Sequence, residues 1–334
     1  MEMARFVNDR SIEVRAVEPS DRKAVLALLT ASLGWSSDKH FDAFFAWKHE
    51  QSPFGRSPGW VAVEDGAVVG FRTFLRWEHR APGGEVLRTV RAVDTATHPS
   101  HQGRGIFRRL TLKALEDLRE EGFAFVFNTP NDRSRPGYLK MGWVPVGRLR
   151  VGVRVTSPAS LARSARARVP ADLWSVPATV GRPASEVLAD VGVADLLGAM
   201  TSQPGLRTHR TPAYLRWRYG FSPLEYRAVT LEAGIPSGVA IFRLRRRGRA
   251  LECVLCEVLV PGETSGAHRA LVRLVARECG ADYVLQVGAK MVDRAGFVRL
   301  PGQGPMLTWY PLASDPPGRR LGDWSMTLGD VELF

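Results

Sequence analysis

Apolar and polar residues alternate from Ile12 to Val17, which predicts a strand. Ser20 then stands as an N-cap, and Ala24, Val25, Leu28 and Leu29 recur at helical spacing, predicting an amphipathic helix through about Leu33. Residues 60–76 read as two strands around the turn Glu64-Asp65-Gly66, a hairpin signal. A further strand covers about 86–97. After it a glycine-rich turn opens a helix from about Ile106 to Glu121, Gly122 ends that helix, and Ala124 to Asn128 form the next strand. This β-α-β-β-β-turn-α-β order predicts an α+β (mixed α/β) domain with its ligand turn between a central strand and a helix.

Residues 44–74 overlay residues 214–242 as an internal repeat. Trp47, Lys48, Ser52 and Pro53 fall opposite Trp217, Arg218, Ser222 and Pro223, the turn at Asp65-Gly66 opposite Ala233-Gly234, and Gly70 opposite Gly238. A second helix near 264–279 and a strand near 282–287 continue the parallel. The division expected is 1–150, a linker over 151–205 with a short helix near 184–199, and a second domain over 206–334. The matched tryptophans are expected to anchor packing rather than bind a ligand, and His98 and His101 to be solvated loop residues.

A length of 334 residues exceeds the roughly 100–200 residues of one domain and agrees with two. The N-terminus has no apolar h-region and no window reaches the ~18 apolar residues of a membrane span, so a cytoplasmic protein without a membrane span is expected. Cys253, Cys256 and Cys279 are expected to be reduced, packed thiols, with no metal site. The net charge of +12 favours anionic partners without separating nucleic acid, membrane surface and polyanionic cofactor. Its densest runs, RLRRRGR (243–249) and LARSARAR (161–168), lack the interleaved aromatics of a single-strand platform and are expected to be solvated, with no specific nucleic acid as partner.

The chemistry is concentrated in RAVDTATHPSHQGRGIFRRL, where Gln102-Gly103-Arg104-Gly105-Ile106-Phe107 joins strand to helix. Glycines let backbone approach a phosphate, and a helix N-terminus presents unpaired amides and a favourable dipole. The turn lacks the Lys-Ser/Thr of a Walker A loop and the third small residue of a dinucleotide fingerprint. It resembles the CoA loop of the GCN5-related N-acetyltransferase (GNAT) superfamily, Gln/Arg-x-x-Gly-x-Gly/Ala, through Gln102 and Gly105, with Phe107 replacing the final small residue. Downstream, Asn131, Ser134, Tyr138, Gly142 and Trp143 match the pattern Asn-x-x-Ala/Ser-x-x-x-Tyr-x-x-x-Gly-aromatic of the same superfamily. The resemblance covers about 12–150 well and 210–310 weakly. It implies two tandem GNAT folds, each a mostly antiparallel twisted central sheet flanked by helices.

The resemblance further implies acetyl-CoA or a longer acyl-CoA as co-substrate, held by Gln102, Gly103, Arg104, Gly105, Ile106 and Phe107, with Asn131 and Ser134 facing the pantetheine arm. Tyr138 becomes the general acid for the departing thiolate. The oxyanion donor is a backbone amide within Asp94 to Thr97, Ala96 and Thr97 included. Asp94 is the first candidate for general base; the competing reading pairs it with Arg91 or Arg72, and Glu64 or His209 is the fallback. The second half reads VPGETSGAHRAL at the cradle, with Pro261 and Glu263, and Val292 where Tyr138 should recur, so it is expected to bind no CoA but to complete the acceptor cleft. The function expected is acyl transfer to a primary amine of a small molecule, aminosugars and amino-sugar-bearing natural products being the class suggested by the tandem build. The alternatives are a protein lysine or N-terminal acetyltransferase and a non-catalytic binder of nucleic acid or anionic surfaces. Acyl-chain length and oligomeric state are not legible.

Overall fold

The computed structural model describes residues 12–33, 39–158, 160, 169–200, 204–262, 265–288 and 295–332. Segment 161–168, Glu263 and Val292 lie outside the described residues. The first half runs β1 (Glu13–Ala16), α1 (Arg22–Leu33), α2 (Phe41–Phe45), β2 (Gly59–Glu64), β3 (Ala67–Arg80), β4 (Val86–Thr97), α3 (Ile106–Glu120), β5 (Phe125–Asn128), α4 (Arg135–Lys140) and β6 (Val144–Arg148). It continues through β7 (Val151–Val155), β8 (Arg182–Pro183), α5 (Ala184–Val187), α6 (Gly192–Ala199), β9 (Arg207–Thr208) and α7 (Pro212–Tyr219). Then come β10 (Arg227–Leu231), β11 (Gly234–Arg247), β12 (Ala250–Leu259), α8 (Ser265–Glu278), β13 (Tyr283–Val287), β14 (Val298–Arg299) and β15 (Met306–Pro311).

Two mixed sheets result, confirming the duplicated α/β reading. The first has the order β1-β2-β3-β4-β5-β15-β6, with β9 on the outer end of β3; the second, read in the matching direction, is β8-β10-β11-β12-β13-β7-β14. Only β4·β5 and β12·β13 are parallel within these paths. Strands are therefore exchanged between the sheets: β15 fills the slot between β5 and β6, and β7 fills the slot between β13 and β14. The two sheets also share a β-bulge. On β4 the skipped residue is Asp94 and on β12 it is Cys256, a register that sets Val239, rather than Gly238, opposite Gly70.

On one face of the first sheet α3 buries Ile106, Leu110, Ala114 and Leu118 against Phe74, Val90 and Val126. Gly70 permits this: a Cβ there would lie 2.5 Å from Ile106 Cγ2. On the other face α1 buries Val25, Leu28 and Leu29 with Phe71 and Ala96. The largest core runs between the halves, joining Trp77, Phe125 and Phe127 to Tyr214, Trp217 and Trp324. At its centre the indoles of Trp47 and Trp217 stack 5.4 Å apart, and each Nε1 donates to the other's carbonyl at 2.7 Å. The matched tryptophans thus anchor the packing of the repeats against each other.

Several local expectations change. The entry to α1 is a 3-10 turn over Pro19–Asp21 in which Asp21, not Ser20, accepts the capping bond from Glu18 and also holds Arg15. The linker carries two short helices, α5 and α6, because Asp190 turns the chain between them by accepting from Gly192. Arg243 is fully buried with Glu332, and Arg245 and Arg247 both grip Glu252, so this arginine run is largely internal ion pairing rather than a solvated face. All three cysteines are free and buried. Among the described residues no group of His, Cys, Asp and Glu could hold a metal, and no helix is long and apolar enough to cross a membrane.

Candidate active site

Strands β4 and β5 pair only at Val90↔Val126 and Arg91↔Phe127 and then diverge. Beyond Arg91, the β5-facing edge of β4 opens onto a wedge-shaped gap, which is where an amide of Asp94 to Thr97 can serve as a donor. Ala96 has its side chain packed against α1, so only its backbone is available there.

At the mouth of the wedge Gly103 and Gly105 have φ of 79° and 73°, the left-handed region that favours glycine. A Cβ at either position would meet nothing within 4 Å. Gly105 is the N-cap of α3 and offers no side chain to cap it, which leaves the first-turn amides of this helix without a side-chain cap. Ile106 is buried and Phe107 turns its ring edge-on to Tyr138, centroids 5.4 Å apart. Both can therefore contribute only main chain to an anion. The bulk of Phe107 that replaces the family's small residue packs on Tyr138 and Arg72. Gln102 reaches back to the Thr97 carbonyl at 3.5 Å. The Arg104 guanidinium is held by both carboxylate oxygens of Glu64 at 2.6 and 3.0 Å, and His101 takes Glu64 Oε2 at 2.8 Å. Glu64 is thus a brace for the cradle, and His101 is part of that brace rather than a solvated residue.

Tyr138 lies on α4, buried between Phe107 and Trp143. Its Oη accepts from Arg72 Nη1 at 2.7 Å. Asn131 Oδ1 accepts from the amides of Arg133 and Ser134 at 3.1 and 2.9 Å and from Ser134 Oγ at 3.1 Å, capping the turn into α4. Both residues of the motif therefore set the start of the helix that carries the tyrosine.

Asp94 sits across β4 from Tyr138, towards the π-helical turn 46–50 that extends α2. Its Oδ2 meets Lys48 Nζ at 2.9 Å and His49 Nε2 at 2.8 Å. Burial alone would raise this carboxyl, but the Lys48 charge and the His49 hydrogen bond override it and hold Asp94 well below the usual carboxylate range. Burial pushes His49 down against the pull of Asp94, so the ring is neutral at pH 7. Its Nε2 must then donate to the carboxylate and its Nδ1 accept from Ser57 Oγ, 3.0 Å away. Asp94 is paired, as the competing reading held, but with Lys48 and His49: Arg72 turns to Tyr138, and Arg91 to the Asp330 carbonyl and Thr129. His209 is removed from the site altogether, fixed between Glu78 at 2.9 Å and Arg80 at 2.8 Å near the far end of β3.

Lys48, His49 and Arg72 were not anticipated as site residues. A charge at Arg72 on the same face of β3 as Phe74 was the one available signal, since a cation among core positions needs a reason.

Residues 13–146 match the family model described as Acetyltransferase (GNAT) domain. No curated protein matches the chain. Among solved structures, a protein of unknown function and probable N-acyltransferase from Enterococcus faecalis V583 superposes with a TM-score of 0.65 at 13% identity, covering 90% of this chain and 72% of that one. A GCN5-related N-acetyltransferase from Anabaena variabilis gives 0.64 at 11% identity over 90% and 73%. Eis1 from Mycobacterium abscessus gives 0.56 at 15% identity over 90% and 74%. At these identities the likeness is one of fold, and it extends across both halves. Residues 13–146 thus match the GNAT domain, and the chain as a whole has the fold of solved GCN5-related N-acetyltransferases.

Proposed function

We propose that the chain transfers an acetyl or longer acyl group from acyl-CoA to a primary amine of a small molecule by direct attack. The observation that carries this reading is the convergence on one wedge of a helix N-terminus with two left-handed glycines and a buried tyrosine hydroxyl. Gly103 to Phe107 would hold the pyrophosphate through main-chain amides, and an amide of β4 would face the thioester carbonyl. Tyr138 supplies the proton for the departing sulfur. Asp94, ionised at any working pH, stands on the opposite side of β4. It serves as the carboxylate that, through water, orients the acceptor amine, which attacks as the free base, and takes the proton the nitrogen sheds as its bond to the carbonyl carbon forms. A low basicity suffices for that late proton. Residues 1–150 carry the acyl-CoA site in this reading, β7 and β8 from 151–205 belong to the second sheet, and 206–334 complete the acceptor cleft, with aminosugars the first acceptor class to try.

The test is Tyr138→Phe, assayed by thiol release from acetyl-CoA with a panel of aminosugars and simple amines. The expected outcome is a kcat lowered about 10²–10⁴-fold at unchanged acyl-CoA affinity, the scale for losing a general acid. A variant with wild-type kcat, chemistry being rate-limiting, overturns the assignment. Thermal shifts with CoA, acetyl-CoA and long-chain acyl-CoAs read the donor, since a ligand at about 100 times its Kd adds roughly 2.7 kcal/mol.

A further inference from the structure

We propose that Arg72 is the positioning residue for Tyr138, turning the phenol proton toward the departing sulfur and holding the negative charge then left on the phenol oxygen. This rests on Tyr138 being the acid.

Arg72 has 0% of its surface exposed. A buried guanidinium is costly unless it is met by a counterion or a full set of acceptors. The buried arginines of the second half obey this, Arg218 and Arg243 sharing Glu332, as does the nearly buried Arg210 with Glu257 and Asp330. Arg72 has no carboxylate among the described residues. Its Nη1 donates to Tyr138 Oη at 2.7 Å and to the Val93 carbonyl at 3.3 Å, while Nε and Nη2 have no hydrogen-bond partner. Its surroundings are the rings of Phe74, Tyr138 and Phe107, at 4.4, 5.3 and 5.7 Å from the guanidinium carbon. Aromatic faces attract a cation but do not neutralise it. A positive charge is thus held unneutralised beside one phenol oxygen.

A phenol carries one hydrogen and accepts on its lone pairs. Arg72 already supplies a hydrogen to Oη, so the phenol's own hydrogen must point to another acceptor, and no protein acceptor for it occurs among the described residues. In the transfer step the C–S bond breaks with its electron pair going to sulfur, the Tyr138 O–H bond breaks, and the S–H bond of free CoA forms. The electron pair of the O–H bond remains on Oη. The contact with Arg72 becomes a charge-assisted one, stronger than the neutral bond it replaces. Arg72 therefore gains interaction energy as charge develops on Oη, which is what lowers a barrier rather than merely tightening binding. The proton that the amine sheds through water at Asp94, a weak base, is passed on through water and restores the phenol.

A purely structural arginine would also lose activity when replaced, so the test is a double-mutant cycle. Wild type, Arg72→Met, Tyr138→Phe and the double variant are compared for kcat with acetyl-CoA and an amine the wild type turns over, with acetyl-CoA affinity by calorimetry and folding by thermal melting. Expected are a kcat about 10²-fold lower in Arg72→Met, the scale for one preorganised donor, unchanged acetyl-CoA affinity, and a double variant no slower than Tyr138→Phe alone. Arg72→Lys, which keeps a cation of shorter reach, should recover about tenfold over Met, and loses that advantage when combined with Tyr138→Phe. Additive losses, or a Lys variant as slow as Met in folded protein, overturn the proposal. If Arg72→Met does not fold, the Lys cycle alone decides by the same criterion. Should Tyr138→Phe itself match wild type, the acid assignment fails first and the role of Arg72 falls with it.

Discussion

Replacing Lys48 by Met keeps the aliphatic stem but removes the cation 2.9 Å from Asp94 Oδ2. The Lys48 side chain is 3% exposed and that of Asp94 14%, so this is a nearly buried pair. Breaking such a pair from one side typically costs about 3–5 kcal/mol, because a buried charge is left behind. Two features reduce this here: His49 still donates to the same oxygen, and the residual exposure of Asp94 admits water. A loss of about 2–4 kcal/mol at pH 7.5 follows, or a fall in Tm of about 4–16 °C at the ~2–4 °C per kcal/mol of larger domains. The sign of the pH dependence is a sharper test than the size. In the wild type the carboxyl is held below its unfolded value of about 3.9, so the stabilisation is present above that pH and is lost only as the pH falls further. Without the cation, burial raises the carboxyl, and the penalty is relieved as protons are taken up. The gap between wild type and variant should therefore narrow from pH 7.5 towards pH 4.5, measured by thermal melts across that range. A gap below about 0.5 kcal/mol, or one constant with pH, refutes the claim that Lys48 fixes the charge state of Asp94.

Gly105→Val places a β-branched residue at a left-handed φ of 73°, in a spot where its Cβ meets nothing. The variant should fold, with acyl-CoA affinity lost by calorimetry; unchanged affinity removes the cradle from this turn. One acyl-CoA should bind per chain, counted by mass spectrometry of the intact complex. At the corresponding loop of the second half Pro261 has no amide hydrogen, and the Gly262 amide is already bonded to the Ala199 carbonyl at 3.0 Å. Two equivalent sites would contradict this. Finally, burial among Phe125, Phe127 and Trp324 pushes His79 down to about 3. A histidine displaced this way favours the fold above its ordinary value of about 6.5 and opposes it as the pH falls, by about 1.4 kcal/mol per unit. It should therefore remove about 2 kcal/mol between pH 7 and pH 5, with His49 and His268 adding to the same slope. Denaturant titrations that show flat stability over that interval, or the same slope in His79→Gln, would refute the assignment.

What could be read from the sequence was local. The turn at 102–107 and the spacing from Asn131 to Trp143 are short-range constraints, in which each glycine or cap answers to neighbours a few residues away. The same holds for α3, whose apolar face repeats every three to four residues. Partners distant along the chain were not legible. Asp94 finds Lys48 and His49 through a π-helical turn that no periodicity announces, since one extra residue per turn rotates both side chains toward β4. The arginine run 243–249 looks solvated as a string of charges; its burial depends on Glu332 and Glu252, and a strand's alternation does not reveal counterions on other elements. The exchange of β7 and β15 was invisible for a related reason. Each is a short apolar strand, and its own residues do not name the strands it pairs with.

The exchanged strands also bear on how the chain is made. When β6 leaves the ribosome, the slot between β5 and β6 is vacant, and the strand that fills it begins at Met306. Some 150 residues must follow β7 before that strand exists, roughly 8–30 s at about 5–20 residues per second. Throughout that interval β5, one wall of the proposed acyl-CoA wedge, presents an unpaired edge of the kind that templates aggregation. The half of the molecule with the chemistry cannot mature first, despite being synthesised first. Its last strand arrives with the C-terminal half, so a chain interrupted before residue 306 never completes the first sheet, and the nascent protein has reason to be held by chaperones until translation is almost complete.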